Sequence, residues 1–317
     1  VLLSSKTQKG KNNGGNTMKM KTRRNFLKTL GAAPFVFLCN PASAFDFKKM
    51  IDGAKPLAQD AQPLLQSLQF TEEDEIEMGE TYYPQHIESG GGLYPDQKAQ
   101  DALKRFARPL LATSQRKAIK WEISLLKNET VNAWALPGGK LAVHSGLLSY
   151  ADDPNELASV ISHEIGHAEL SHGVSQMRTE GFLSTVSSAG KKVLAQYVGQ
   201  KIPMSGEVLN TLEKPVFQMI NAGYSQKREF EADAHILHVF DKTRMDPAKA
   251  DDFFRTLDRL YPSDTDITTS LFSTHPGTRR RIERIEALAS KKTGNPSRSA
   301  APKGWSTLKK LFPTKAS

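Results

Sequence analysis

The chain has 317 residues, 38% of them hydrophobic and 24% charged, which suits one large globular domain with extensions or two small domains. Its formal net charge of +9 sits at the ends: residues 1–44 carry eight basic side chains and no acid, and residues 291–317 carry seven and no acid, so the body between them nets −6. A folded nucleic-acid binder carries its basic footprint on the body, so that class of partner is excluded.

Residues 1–17 are polar and read as upstream or disordered sequence, with Met18 or Met20 as the initiator. Thr22-Arg23-Arg24-Asn25-Phe26-Leu27-Lys28 resembles the twin-arginine export consensus. The apolar run from Leu30 to Leu38 is too short to span a bilayer. Pro41-Ala42-Ser43-Ala44 closes it with a small-x-small cleavage signature. The expectation is a twin-arginine-type signal peptide over 18–44, cut after Ala44, and a periplasmic protein. An uncut N-terminal anchor is the alternative. Cys39, the sole cysteine, follows Leu38, whereas a lipid-attachment site wants a small residue there. Once cut, the chain has no cysteine for a disulfide or a metal. No later stretch approaches the ~18 apolar residues of a spanning helix.

The domain is expected over 45–290. Two short helices, interrupted by Pro56 and Pro63, are predicted over 45–70. Thr71 followed by Glu72, Glu73, Asp74 and Glu75 reads as a helix cap and an acidic first turn. Ser89 to Gly92 end that helix. Ala102, Leu103, Phe106, Ala107, Leu110 and Leu111 predict an amphipathic helix over 96–113. The period then changes to two. Residues 118–123, 132–136 and 140–144 read as half-buried strands, with a turn at Pro137-Gly138-Gly139. The edge of such a sheet can hold an extended peptide, which makes Lys140, Leu141, Ala142 and Val143 the expected substrate-binding residues. Residues 180–223 are mixed, with a helix around Phe182 to Val198 and a loop at 201–206, serving either as a lid or as ordinary packing.

Between the sheet and that segment stands His163-Glu164-Ile165-Gly166-His167. Two histidines four apart on a helix share a face and can grip one metal ion, and Glu164 is placed to take a proton from an attacking water. Asp153, Pro154 and Glu156 supply the helix start: a cap, a proline at the first helical position and an acid three after the cap. A catalytic zinc site needs a third protein ligand. His86, His144, His172, His235, His238, His275 and the carboxylates of 229–233 are candidates. Glu229 and Asp233 share a helix face, so if Glu229 binds the metal, Asp233 falls where it can hold a ligand histidine by its other nitrogen. Glu231 points elsewhere and remains the alternative ligand. His172, His235 and His238 read as structural or surface residues.

Asn132 to Gly139, His163 to His167, Glu229-Phe230-Glu231-Ala232-Asp233, and Ser273-Thr274-His275-Pro276 with Arg281-Ile282 together resemble metallopeptidase family forty-eight, in the family's order, over roughly residues 70–290. The resemblance is to its soluble, periplasmic BepA/LoiP-like members without a repeat domain. It implies an α+β, mostly helical gluzincin fold with a small sheet beside the active-site helix. It implies one zinc per chain on His163, His167 and Glu229, with Glu164 as general base and Asp233 behind a ligand. It implies that His275 and Arg281 assist the oxyanion, and that unfolded or misfolded envelope proteins are the substrates. A zinc-bound chaperone or adaptor with little proteolysis is the rival reading. The basic tail, 291–317, reads as flexible. Its Trp305, Leu308, Leu311 and Phe312 among lysines could touch an anionic membrane surface.

Overall fold

The computed structural model describes residues 69–179, 182, 186–197, 200–260, 275, 278–291 and 301–314. The export segment, the helices expected over 45–68 and the neighbours Ser273, Thr274 and Pro276 of His275 lie outside the described residues.

Thr71 opens helix α1 (Glu72–Ser89) with a reciprocal cap: its hydroxyl accepts from Asp74 N, and its own N–H donates to Asp74 Oδ2 at 2.7 Å. Four acids fill the first turn, where the helix dipole favours them. Helix α2 (Gln97–Leu111) buries Ala102, Leu103, Phe106, Ala107 and Leu110, the stripe that its spacing predicts.

Strands β1 (Glu122–Leu126), β2 (Ala133–Leu136) and β3 (Lys140–His144) form one sheet in the order β1-β3-β2. β3 runs parallel to β1 and antiparallel to β2. The first strand starts at Glu122, later than the alternation from Ala118 suggests. The strands are also covered on both faces rather than half-buried. Ala133, Ala135, Leu141 and Val143 enter one apolar cluster, and Trp134, Leu136 and Ala142 enter a second. Alternation here divides two cores and does not divide core from water. The β2–β3 turn requires its glycine: Gly138 has φ 71°, and a Cβ there would stand 2.6 Å from the Glu75 carbonyl.

The order of the strands corrects the expected peptide-binding edge. Lys140, Leu141, Ala142 and Val143 lie in the central strand, paired with β1 on one side and β2 on the other. Their backbone groups are already in the ladder, so no further strand can add there. The Lys140 ammonium instead pairs with Glu122 at 3.1 Å. β1 and β2 are the two edge strands; residues 92–94 pair with the outer side of β1 near Leu126, so among the described residues the edge without a backbone partner is that of β2.

One core lies between the sheet, α2, the single turn α3 (Ser145–Leu148) and α4 (Pro154–Glu169). The other lies under α1, α5 (His172–Met177), α6 (Ser188–Ala195) and α7 (Gly206–Ala222). Helices α8 (Gln226–Thr243), α9 (Asp252–Leu260) and α10 (Thr278–Ala289) complete the first core. The arrangement is mostly helical, with a small sheet beside α4, as expected. Leu194, Ile202, Val208, Leu212 and Val216 are buried in the second core, so these residues of the mixed segment pack rather than hang over the cleft. No described helix is long and apolar enough to cross a membrane.

The tail departs from the sequence reading. Residues 305–311 form helix α11 (Trp305–Leu311) on α2. Leu308 and Phe312 are buried, the Trp305 ring stands 5.9 Å from that of Phe106, and Phe312 packs edge-on to Tyr94. The apolar residues expected at a membrane surface are used in the first core instead. Their four-residue spacing, from Leu308 to Phe312, is that of a packed helix face.

Candidate metal centre

α4 is fixed at its start before it delivers any chemistry. Asp153 caps it, Pro154 occupies the first position and Glu156 returns a bond to the cap. The second oxygen of Glu156 accepts from Thr256 Oγ1 of α9 at 2.8 Å. Every residue from Glu156 to Ala168 is buried. α8 crosses α4 at Gly166, where a Cβ would lie 2.9 Å from the His235 Cβ and 3.1 Å from the Ala232 Cα. The missing side chain lets the two backbones approach, which brings the first turn of α8, carrying Glu229, against the two histidines.

His163, His167, Glu229 and His275 present ligand atoms that all lie within 4.8 Å of one another, and all four residues are buried. The Nε2 atoms of His163 and His167 are 3.0 Å apart. Glu229 Oε2 is 3.4 Å from His163 Nε2, and its Oε1 is 3.5 Å from His167 Nε2. His275 Nδ1 lies 3.1 Å from Glu229 Oε1 and 3.3 Å from His163 Nε2. Its Nε2 points to Glu164 Oε1 at 3.4 Å. That oxygen is buried and has no hydrogen bond of good geometry. Two imidazole nitrogens facing each other, a carboxylate beside both and a further carboxylate oxygen without a donor form a donor set suited to a divalent cation. The residues present therefore fit zinc.

Asp233 lies one turn after Glu229, as the spacing predicts. Its Oδ1 is 3.1 Å from His163 Nδ1. Arg281, 1% exposed, grips Asp233 as a fork, with Nη2 to Oδ1 at 2.6 Å and Nε to Oδ2 at 2.9 Å. It also reaches Glu229 Oε2 at 3.0 Å and the His275 carbonyl at 3.2 Å, and stacks over the Phe254 ring at 4.5 Å. Arg281 was expected as a donor to an oxyanion. In this geometry its guanidinium contacts two carboxylates and a carbonyl, and Nη2 also lies 3.2 Å from His163 Nε2.

These charges set the electrostatics. Burial and the Arg281 cation both oppose a proton on His163, but its bonds to Asp233 and Glu229 outweigh them and raise its pKa to about 9. Burial likewise opposes charge on Glu229, yet His275, His163 and Arg281 together hold its carboxyl well below the usual range. His167, buried beside the His163 cation, is pushed far below the ordinary histidine value.

Glu231, the alternative third ligand, points away: its side chain is 45% exposed and meets His172 Nε2 at 3.2 Å. Sequence reasoning missed two neighbours of the centre. Tyr224 stacks flat on His167, ring centroids 4.1 Å apart, and burial raises its phenol pKa. His172 is 2% exposed, and its Nδ1 is 2.9 Å from His167 Nδ1. His172 lies five residues after His167 and beyond the end of α4, so helical spacing gives no sign of the contact. The β2 residues Ala135 and Leu136, with Pro137, share a crevice with His167 and Tyr224, which sets the open sheet edge beside the cluster.

Comparison with known proteins agrees with this geometry. The profile of peptidase family M48 matches residues 97–289. The mitochondrial metalloendopeptidase OMA1 of Arabidopsis thaliana is 31% identical over 186 residues, covering 59% of this chain and 35% of that protein. The metalloprotease LoiP of Escherichia coli is 28% identical over 168 residues, covering 53% of this chain and 61% of LoiP. The beta-barrel assembly-enhancing protease of Escherichia coli is 25% identical over 188 residues, covering 58% and 37%. The chain thus spans between about a third and three fifths of the length of these relatives.

Proposed function

Because the chain belongs to peptidase family M48, we propose that it is a zinc-dependent endopeptidase, exported to the cell envelope and acting on unfolded or misfolded proteins there. The observation that carries this reading is the convergence of His163, His167 and Glu229 next to a buried Glu164 oxygen that lacks a donor. His163, His167 and Glu229 would hold the ion, with His275 beside them. Bound there, zinc supplies a Lewis acid that polarises the scissile carbonyl and lowers the pKa of water. Glu164 takes the proton of the attacking water and passes it to the leaving amine. Asp233 orients His163, and Arg281 clamps Asp233 and Glu229. His275, whose Nε2 lies 3.4 Å from Glu164 Oε1, meets the developing oxyanion in this reading. An extended peptide pairs with the open edge of β2 at Ala133–Leu136, which leads to His167.

Support for an envelope substrate comes from the likeness to a beta-barrel assembly-enhancing protease, and support for export from Arg23-Arg24 and the apolar run after them. The test is proteolysis of an unfolded substrate, with metal content measured alongside. Glu164→Gln should keep about one zinc per chain and lose activity by a factor of at least about 10². Full activity in that variant sinks the peptidase mechanism; loss of cleavage with retained client holding locates a chaperone function beside it. Cell fractionation of the same chain with Arg23 and Arg24 replaced by Lys should find it retained in the cytoplasm. Unchanged export would remove the twin-arginine route.

A further inference from the structure

Two imidazoles in contact at their Nδ1 atoms cannot both be donors or both be acceptors. His167 Nδ1 and His172 Nδ1 are 2.9 Å apart, and both side chains are nearly fully buried. His167 directs Nε2 into the ligand cluster, where a lone pair is needed, so the proton of its neutral ring belongs on Nδ1. That proton can go only to His172 Nδ1. The proton of His172 then sits on Nε2, which faces Glu231 Oε2 at 3.2 Å. A single directed chain results: His167 donates to His172, and His172 donates to Glu231.

The backbone is shaped to make this contact. The chain reverses between α4 and α5 at Ser171, a non-glycine residue in the left-handed region at φ 51°. Ser171 is held there: its hydroxyl donates to Glu75 Oε1 at 2.7 Å and accepts from Arg116, which also binds the Ala168 carbonyl at the end of α4. The reversal turns His172 back under His167. Lys227, one turn before Glu231 on α8, lies 3.8 Å from its carboxylate.

We propose that His172 is the positioning residue of His167, with Glu231 behind it, and that together they fix the His167 tautomer that leaves Nε2 free to bind zinc. This rests on the zinc reading of the cluster. His172 is not one of the four clustered residues; its contact with the cluster is the His167 Nδ1. It acts through the ring that it orients.

The test measures the zinc dissociation constant of the full chain by chelator competition. The comparison is wild type, His172→Phe, His172→Asn and Glu231→Gln, with His167→Ala as the ligand-loss control. The Oδ1 of an asparagine stands two bonds from Cβ, as the Nδ1 of histidine does, so His172→Asn keeps an acceptor for His167, whereas phenylalanine keeps only the ring. His172→Phe should weaken zinc binding about 10- to 100-fold, the usual cost of losing a residue that orients a metal ligand. His172→Asn should stay within about threefold of wild type, and Glu231→Gln should fall between the two. Glu231→Gln alters a half-exposed side chain and keeps the test informative even if His172→Phe does not fold. Equal affinities across the three variants overturn the proposal. So does an asparagine variant as weak as the phenylalanine one, since that marks a packing role. A wild type that binds no zinc, or a His167→Ala variant that binds as tightly as wild type, overturns the zinc reading itself, which is a different result from either.

Discussion

Behind His163 stands a carboxylate, Asp233, clamped by a guanidinium that is 1% exposed; behind His167 stands a second imidazole, leading to a carboxylate whose side chain is 45% exposed. The first support is charged, bidentate and sealed from water. The second is neutral at its inner end and opens to solvent at its outer end. Buried charge must be paired where it lies, because removing one partner leaves the other without solvent or counter-charge. A neutral chain ending at the surface can lose its last member with little disturbance of the fold. The two sides of one centre therefore divide the work. The Asp233–Arg281 side holds the domain together, and the His172–Glu231 side adjusts how one ligand is presented.

The sharpest way to break this contrast is Arg281→Ala. It leaves Asp233 and Glu229 buried without their cation and should cost about 3–5 kcal/mol in urea unfolding of the full chain. A loss under about 1 kcal/mol, the range of an ordinary surface pair, would show that the buried fork holds nothing.

Histidines away from the centre extend the contrast to pH. His86 and His144 are kept neutral by burial, and their pKa values fall to about 4. Their contribution to stability is complete above the unfolded value near 6.5. As pH falls from there through about 4, the unfolded chain takes up protons that the folded chain refuses, and stability drops. Between pH 6.5 and 5 the loss should be about 1.5 kcal/mol per histidine, since the slope reaches its full value of about 1.4 kcal/mol per unit only below the unfolded pKa. Urea midpoints at the two pH values measure it, and His144→Asn should flatten the dependence. An unchanged slope in that variant would mean that His144 takes up its proton alike in the folded and unfolded chains.

The smallest expected effect is on the open side. Glu231→Gln should change stability by no more than about 0.5 kcal/mol, as for an exposed substitution, while zinc binding weakens. A stability loss like that of Arg281→Ala would erase the difference between the two supports.

The sequence made some of this centre legible and not the rest, for physical reasons. Local chemistry reads directly. The Asp153-Pro154 start, the facing pair His163 and His167, and the pair Glu229 and Asp233 each follow from helix periodicity. Helix α7 was legible in the same terms, through Val208, Leu212 and Val216 at spacings of four, but Pro203, Gly206 and Pro215 obscured it. Strand order was not readable: period-two alternation says which residues share a face and is silent on which strand is central. That is why the edge proposed for peptide binding is that of β2 and not β3. Contacts made by a chain reversal were hidden for a related reason. His172 meets His167 because Ser171 takes a left-handed turn, and neither motif nor period encodes that bend. The tail misled through composition, since Lys303 and Lys310 are exposed while Leu308 and Phe312 face inward.

The seat of α11 has a consequence for how the polypeptide is made. Phe312 and Leu308 fill space beside Tyr94, Phe106 and the turn at Ala102, and Lys309 donates to the Ala151 carbonyl just before α4 begins. These contacts join residues some 150 to 220 positions apart in the chain. A ribosome that has produced everything through Ala289, the last residue of α10, has therefore produced an incomplete core, with the flank of α2 still bare. Completion of this domain waits for residue 312 to emerge from the exit tunnel, after the other described elements of the first core have been made.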